Sequence, residues 1–218
     1  SGIAVQDSLA VTLIQKEGQQ YALALDANTG ETKWEIAIGP EYNNPMGNGP
    51  RAFPALTSTQ AFVFSGQGIL AAISLKTGKL HWKHDTIQEH QGEVADYGMA
   101  ASPLVLGNVV VVTTGHKNGV AIAAYSVDEG KLQWQTTFPD SVGYSCPALL
   151  EVAGEKQIVV FTGTHLRGLS LLGDPLWKYE YITPYDCNIV TPQLINGDIF
   201  ISSGEDHGAV RLKITKSE

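Results

Sequence analysis

Residues 24–34 read A-L-D-A-N-T-G-E-T-K-W, and the phrase returns three times: A-I-S-L-K-T-G-K-L-H-W at 72–82, A-Y-S-V-D-E-G-K-L-Q-W at 124–134 and G-L-S-L-L-G-D-P-L-W at 168–177. Each phrase closes on a tryptophan, Trp34, Trp82, Trp134 and Trp177, with a glycine four residues earlier, Gly30, Gly78, Gly130 and Gly173. The tryptophans recur at intervals of 48, 52 and 43 residues. Self-similarity at that period decides the architecture before any local assignment, because each unit buries its apolar faces only against its neighbours. Most of the sequence therefore encodes a scaffold, and function is to be sought in what differs between the repeats.

The third repeat shows the grammar. Ser102 to Leu106 is a short apolar run closed by the turn pair Gly107-Asn108. Val109 to Thr114 is β-branched, and residues 115–119 turn again. Val120 to Val127 alternates apolar and small residues, Asp128-Glu129-Gly130 turns, and Lys131 to Thr137 carries Trp134. Short β-rich runs separated by Gly, Asn and Asp turns predict a four-stranded antiparallel meander. Pro54, Pro103, Pro147 and Pro192 open the repeats, 49, 44 and 45 residues apart. A proline at a strand start breaks no ladder bond. The first repeat begins at Ser1-Gly2-Ile3 without the proline, and the fifth stops near Lys213-Ile214, before its own turn and tryptophan. The expected units are about 1–47, 48–95, 96–140, 141–184 and 185–218. The one helical signal is a turn near Thr86–Gly92.

A four-stranded sheet at this period is a propeller blade. The expected fold is all-β: a β-propeller, or part of one, of about five four-stranded antiparallel blades, the terminal one incomplete. The tryptophans suit the joints between blades better than a ligand.

Composition narrows the function. The chain has 218 residues, 43% hydrophobic and 17% charged, which is globular. A net charge of −8 with no basic run argues against nucleic acid and anionic membranes as partners. No stretch is long and apolar enough to cross a bilayer. The chain opens at Ser1 with no initiator methionine, as a processed or truncated product would, so a signal peptide is not visible. Cys146 and Cys187 lie in different repeats and leave the redox compartment open. They are either a pair at the channel mouth or two small buried thiols.

In a blade whose first strand lines a central channel, the loop leading into that strand and the turn between the second and third strands emerge on one face. That face, the channel mouth, collects Asn48, Arg51, Asp96, Tyr97, Tyr144, Asp186 and Asn188 from the leading loops. The inner turns add Gln67, His116, His165, Glu205, Asp206 and His207. Polar groups converging on a funnel are the expected ligand site, with Arg51, Asp96, Tyr97, Tyr144, Asp186, Asn188, His116, His165 and His207 as its candidates. Each has a structural alternative. The histidines sit at equivalent turns of successive blades and are radially separated. Asp186 and Asn188 either bind or cap their loop. Arg51 either grips a carboxylate or phosphate, or bridges blades to Asp96. No nucleophile elbow, P-loop, HExxH or dinucleotide fingerprint appears, so no residue is nominated as catalytic or as a metal ligand.

The tryptophan phrases resemble the repeat of the PQQ-binding-like (quinoprotein-type) β-propellers, A-x-D-x-x-T-G-x-x-x-W, over almost the whole chain. The match is closest at residues 24–34 and 76–82. It weakens in the third repeat, where Glu129 replaces Thr, and in the fourth, which is one residue shorter. Gly49-Pro50-Arg51, Gly143-Tyr144-Ser145 and Tyr185-Asp186-Cys187-Asn188-Ile189 ahead of the prolines look like the subgroup named for the outer-membrane assembly lipoprotein, or labelled polyvinyl-alcohol dehydrogenase-like. The resemblance implies a bacterial, extracytoplasmic protein, and about eight blades where this chain has five units. It also implies either of two functions. One is a non-catalytic binding or scaffold module with a protein or small-molecule partner at the mouth. The other is a quinone-dependent alcohol dehydrogenase with PQQ and Ca²⁺, in which Asp186 and Asn188 lie near the cation and Arg51 near the cofactor. In that second group a disulfide between adjacent cysteines packs on the quinone. Cys146 and Cys187 are 41 residues apart, which favours the first function.

Overall fold

The structure, a computed structural model, describes residues 1–204 and 206–215. Its first sheet holds β1 (Ile3–Gln6), β2 (Leu9–Lys16), β3 (Gln19–Asp26) and β4 (Thr32–Pro40). The second holds β5 (Ala55–Leu56), β6 (Gln60–Phe64), β7 (Ile69–Ser74) and β8 (Leu80–Asp85), followed by a single-turn helix α1 (Thr86–His90). The third holds β9 (Leu104–Leu106), β10 (Val109–His116), β11 (Gly119–Ser126) and β12 (Leu132–Phe138). The fourth holds β13 (Ala148–Val152), β14 (Glu155–Phe161), β15 (His165–Leu169) and β16 (Pro175–Glu180). A 3-10 turn at Pro184–Asp186 precedes β17 (Gln193–Ile195), β18 (Asp198–Ser203) and β19 (Gly208–Leu212), the three strands described for the fifth sheet. Each sheet pairs its strands in sequence order and antiparallel. The meander is the one the turn residues predict, and the helical signal falls where α1 forms.

The sheets pack face to face in sequence order. Alternate residues of a strand point to opposite faces of its sheet, and in the second, third and fourth sheets both faces of the middle strands are buried. Val110 and Val112 join Phe62, Phe64, Leu70 and Trp82 of the second sheet. Val111, between them, joins Ile158, Val160 and Leu169 of the fourth. This is why β10 reads as an unbroken apolar run rather than an alternating one. Further clusters join the first sheet to the second and the fourth to the fifth.

The inner strands are linked at their starts. Ser1 Oγ donates to Ala52 O at 2.9 Å, Phe53 N to Ser102 Oγ at 2.8 Å, Ser102 N to Cys146 Sγ at 3.1 Å and Ser145 Oγ to Val190 O at 3.0 Å. Equivalent positions of five successive sheets are thus linked in order along their first strands.

The tryptophans occupy the joints. Trp34 Nε1 donates to Leu75 O at 2.8 Å and Trp82 Nε1 to Val127 O at 2.9 Å, each carbonyl belonging to the next blade. The phrase glycine meets the preceding blade's indole: a Cβ at Gly78 would lie 2.7 Å from Trp34, and one at Gly130 2.7 Å from Trp82. With φ of +69° at both, glycine is required by conformation and by space. Gly30, in the first blade, has the same conformation and no neighbour within 4 Å.

Candidate functional site

Four leading loops build the mouth. Tyr42 is buried under the loop before β5, and its hydroxyl accepts from Asn44 Nδ2 at 3.0 Å. The same amide donates to Asp96 O at 2.7 Å, tying the second blade's loop to the third's. Tyr97 N donates to the Tyr144 hydroxyl at 3.3 Å and their rings lie 5.7 Å apart, tying third to fourth. Tyr144 N donates to Asn188 O at 2.9 Å, tying fourth to fifth. Two adjoining hollows result. An apolar basin of about 320 Å³ is walled by Met46, Arg51, Tyr97, Tyr144, Cys187 and Ile189. Beyond Tyr144, a smaller hollow of about 160 Å³ is lined by Glu93, Asp96, Ser141 and Asp186 among others. Burial, the largest influence, pushes the Tyr144 phenol up to about 12, so it remains a neutral hydrogen-bonding group throughout the physiological range.

Five of the nine candidates therefore converge: Arg51, Tyr97 and Tyr144 on the basin, and Asp96 and Asp186 with Tyr144 on the acidic hollow. The remaining four are engaged by the fold. Asn188 is fully buried and saturated. Its amide donates to Thr162 O, Gly163 O and Tyr181 O at 2.8, 3.0 and 3.1 Å, and its Oδ1 accepts from Thr183. Of its two weighed roles it takes the capping one. His165 Nδ1 lies 3.2 Å from Asp140 Oδ1, inside an ion cluster that Arg167 completes. His116 Nδ1 accepts from Asn118 N, and His207 packs edge-on against Tyr181 at 4.6 Å. Among the supporting residues, Gln67 donates to Glu41 O and Asn48 accepts from Asn44 N, both within the loops. Asp206 is exposed on a turn with φ of +60°, and Glu205 lies outside the described residues.

Arg51 corrects an expectation. No salt bridge joins it to Asp96 among the described residues. Its Nη1 and Nη2 donate to Gly49 O and Gly47 O at 2.6 and 2.7 Å, and its guanidinium lies over the Tyr42 ring at 4.8 Å. The charge braces its own loop, and the side chain offers the basin its flank. Cys146 and Cys187 are unlinked. Asp186 and Asn188 do not form a cation's donor set: the amide of Asn188 is saturated, and no three of His, Cys, Asp and Glu gather as ligands among the described residues.

Two features escaped the sequence reading. Met46 and Ile189, both exposed, form the apolar wall of the basin, and the polar and ionisable residues of the sequence do not point to them. Asp140 and Arg167 form a buried pair, with Arg167 Nε and Nη2 donating to the carboxylate at 2.5 and 2.7 Å and Thr162 Oγ1 adding a third bond. Burial alone raises the Asp140 carboxyl, and the bonds from Arg167 and Thr162 outweigh it and hold it below the ordinary carboxylate range. No sequence spacing announces a partner 27 residues away.

Radial four-stranded sheets with an indole at each joint define a β-propeller of the quinoprotein-repeat class. Residues 18–215 match the family described as outer membrane protein assembly factor BamB, and the chain belongs to that family. It is also similar to the quinohemoprotein alcohol dehydrogenase ADH IIB of Pseudomonas putida, 28% identical over 166 residues, 72% of this chain and 21% of that protein. Among solved structures, the quinohemoprotein alcohol dehydrogenase of Comamonas testosteroni superposes with a TM-score of 0.62 at 16% identity, over 92% of this chain and 39% of its own. The alcohol dehydrogenase ADHIIG of Pseudomonas putida HK5 gives 0.62 at 17%, over 92% and 38%. These likenesses carry the fold. The chain spans about a fifth of the length of the curated relative it matches.

Proposed function

We propose that the protein is a non-catalytic, extracytoplasmic binding module that takes a protein or small-molecule ligand at the channel mouth. The observation that carries this is the basin itself: loops of four successive blades converge on an apolar hollow walled by two tyrosines, Met46 and Ile189. The Arg51 guanidinium and the Tyr144 hydroxyl are engaged as braces of the loops, which suits capture rather than proton transfer. The basin's exposed apolar rim suits a ligand that presents an apolar surface. Membership of the assembly-factor family supports a protein partner. No helix among the described residues is long and apolar enough to cross a membrane, which suits a module that works beside one.

A second reading, a quinone-dependent alcohol dehydrogenase, is favoured by the likeness to ADH IIB. One titration separates the two. Purified protein is mixed with pyrroloquinoline quinone and Ca²⁺ and followed by absorbance, then by dye reduction with alcohols. The binding-module reading expects neither stoichiometric uptake nor turnover, and tight uptake with dye reduction would overturn it. A hydrophobic-probe dye should enter the basin, and Tyr144→Ala with Ile189→Asp should lower its fluorescence.

A further inference from the structure

The fourth phrase departs from the other three, and the departure opens a groove on the face opposite the mouth. In the first three blades the phrase turn spans four residues before its closing bond: Gly30 N donates to Asp26 O, Gly78 N to Ser74 O and Gly130 N to Ser126 O. In the fourth, one residue is missing, and Gly173 N donates to Ser170 O instead. The shorter turn displaces the aliphatic residue that should enter the joint. Leu75, its counterpart in the second blade, is 8% exposed, whereas Leu171 is 45% exposed and Leu172 beside it 73%.

The indole of this joint loses its acceptor with that shift. Trp34 and Trp82 donate to the carbonyls of Leu75 and Val127. Trp134 still rests on Gly173, whose Cβ would lie 2.4 Å from its ring. Its N–H has no hydrogen-bond partner among the described residues. Trp134, Leu106, Leu149, Leu171 and Leu172 line a groove of about 560 Å³ between the third and fourth blades, and among the described residues Lys156 is the only ionisable one on its lining.

We propose that this groove is a docking site for an extended peptide segment of a partner protein, carrying an aliphatic residue next to a carboxylate. The first two joints show what completes an indole here: the carbonyl of an aliphatic residue in the first position past a strand end. A partner segment supplies that carbonyl to Trp134 and its side chain to the leucines, and Lys156 selects the adjacent carboxylate on a surface otherwise dominated by negative charge. A partly buried tryptophan ringed by leucines is the composition of an interface hot spot. The site is independent of the mouth and stands whether or not the mouth binds a ligand.

The probe is a fluorescein-labelled octapeptide, Ser-Gly-Ser-Leu-Leu-Asp-Asp-Ser, titrated with the whole chain by anisotropy and by tryptophan emission. Saturable binding below about 1 mM is expected, with loss of about tenfold or more in Leu172→Asp. Lys156→Glu should weaken it and should restore binding to a peptide with lysines in place of the aspartates. Trp134→Phe keeps the ring and removes the N–H, and should weaken binding with little change in fold. Arg51→Ala, at the mouth, should leave it unchanged. Absence of saturable binding, or binding indifferent to Leu172→Asp, overturns the proposal. So does concentration-dependent self-association that Leu172→Asp abolishes, because it assigns the groove to a second copy of the chain.

Discussion

The joint between the second and third blades and the joint between the third and fourth use the same phrase and are held at different ends. In the former, Trp82 closes the outer end by bonding to Val127 O, and α1 closes the mouth end. There the hydroxyls of Thr86 and Thr114 share a bond of 2.7 Å, and His90 Nε2 and the Tyr125 hydroxyl one of 3.0 Å. In the latter, the shortened turn leaves Trp134 without its acceptor, and the mouth end is pinned by Asp140 and Arg167, with the guanidinium 4.0 Å over Phe138 of the preceding blade. A single missing residue converts a packing device into an open surface. The buried ion pair at the other end shows how such a joint still holds.

The contrast is most exposed to test in the tryptophans. Trp82→Ala should destabilise by about 3–5 kcal/mol, the usual cost of emptying a buried aromatic site. Trp134→Ala should lose less than that, because its ring is only partly buried and its N–H has no hydrogen-bond partner among the described residues. Urea midpoints of the two variants measure the gap, and equal losses would break the distinction between the joints.

Asp140→Ala removes one partner of a buried pair and leaves Arg167 uncompensated, a loss of about 3–5 kcal/mol that falls on the third joint. Asp140→Asn should lose less, since the amide oxygen still accepts. The carboxyl of Asp140 is held below its ordinary value, so its contribution is fully present above the unfolded-state pKa of about 3.9 and is lost as pH falls through the lower folded value. Acid unfolding curves of wild type and Asp140→Asn should begin to approach one another below about pH 4 and converge only below the lower folded value.

Glycine substitutions give a smaller and sharper contrast. Gly30→Ala meets open space and carries only the penalty of positive φ, about 1–2 kcal/mol. Gly78→Ala adds a clash with Trp34 at 2.7 Å, worth about 1–3 kcal/mol more. Calorimetric melting of the pair isolates the packing part, and identical melting points would mean that Trp34 gives way freely.

The smallest expected effect is a pH slope at the second joint. Burial, the dominant influence, lowers the His90 pKa against the opposing pull of Glu89, so the folded protein prefers neutral His90. Its stabilisation is complete above the unfolded-state pKa of about 6.5 and falls as pH drops below it toward the folded value. His90→Gln should flatten that part of the stability curve. An unchanged slope would show that folding leaves the His90 pKa where it is in the unfolded chain.

The fold was legible because its determinants are local and repeated. The β-branched runs, the Gly and Asn turns, the strand-opening prolines and the four indole phrases each recur in register, so one repeat read correctly gives the rest. The mouth was legible only as a neighbourhood. Leading loops and inner turns could be placed on one face from strand direction alone, and five of the nine candidates do meet there. Whether a side chain faces a ligand or its own loop depends on bonds between residues far apart in sequence. Asn188 and Thr162 are 26 residues apart, Arg167 and Asp140 27, Tyr144 and Tyr97 47.

The amino-acid order by itself determined the class of architecture, the position of each joint and the requirement for glycine where the chain turns under an indole. These follow from periodicity and from backbone sterics, which act within a few residues. The tertiary structure alone decided which polar groups are braces, which apolar residues wall the basin, and which joint stands open. Those outcomes depend on how neighbouring blades satisfy or fail to satisfy each other's buried donors. Shortening one turn by a residue moves a carbonyl away from an indole three dozen residues earlier in the chain, and only the packed blades record that loss.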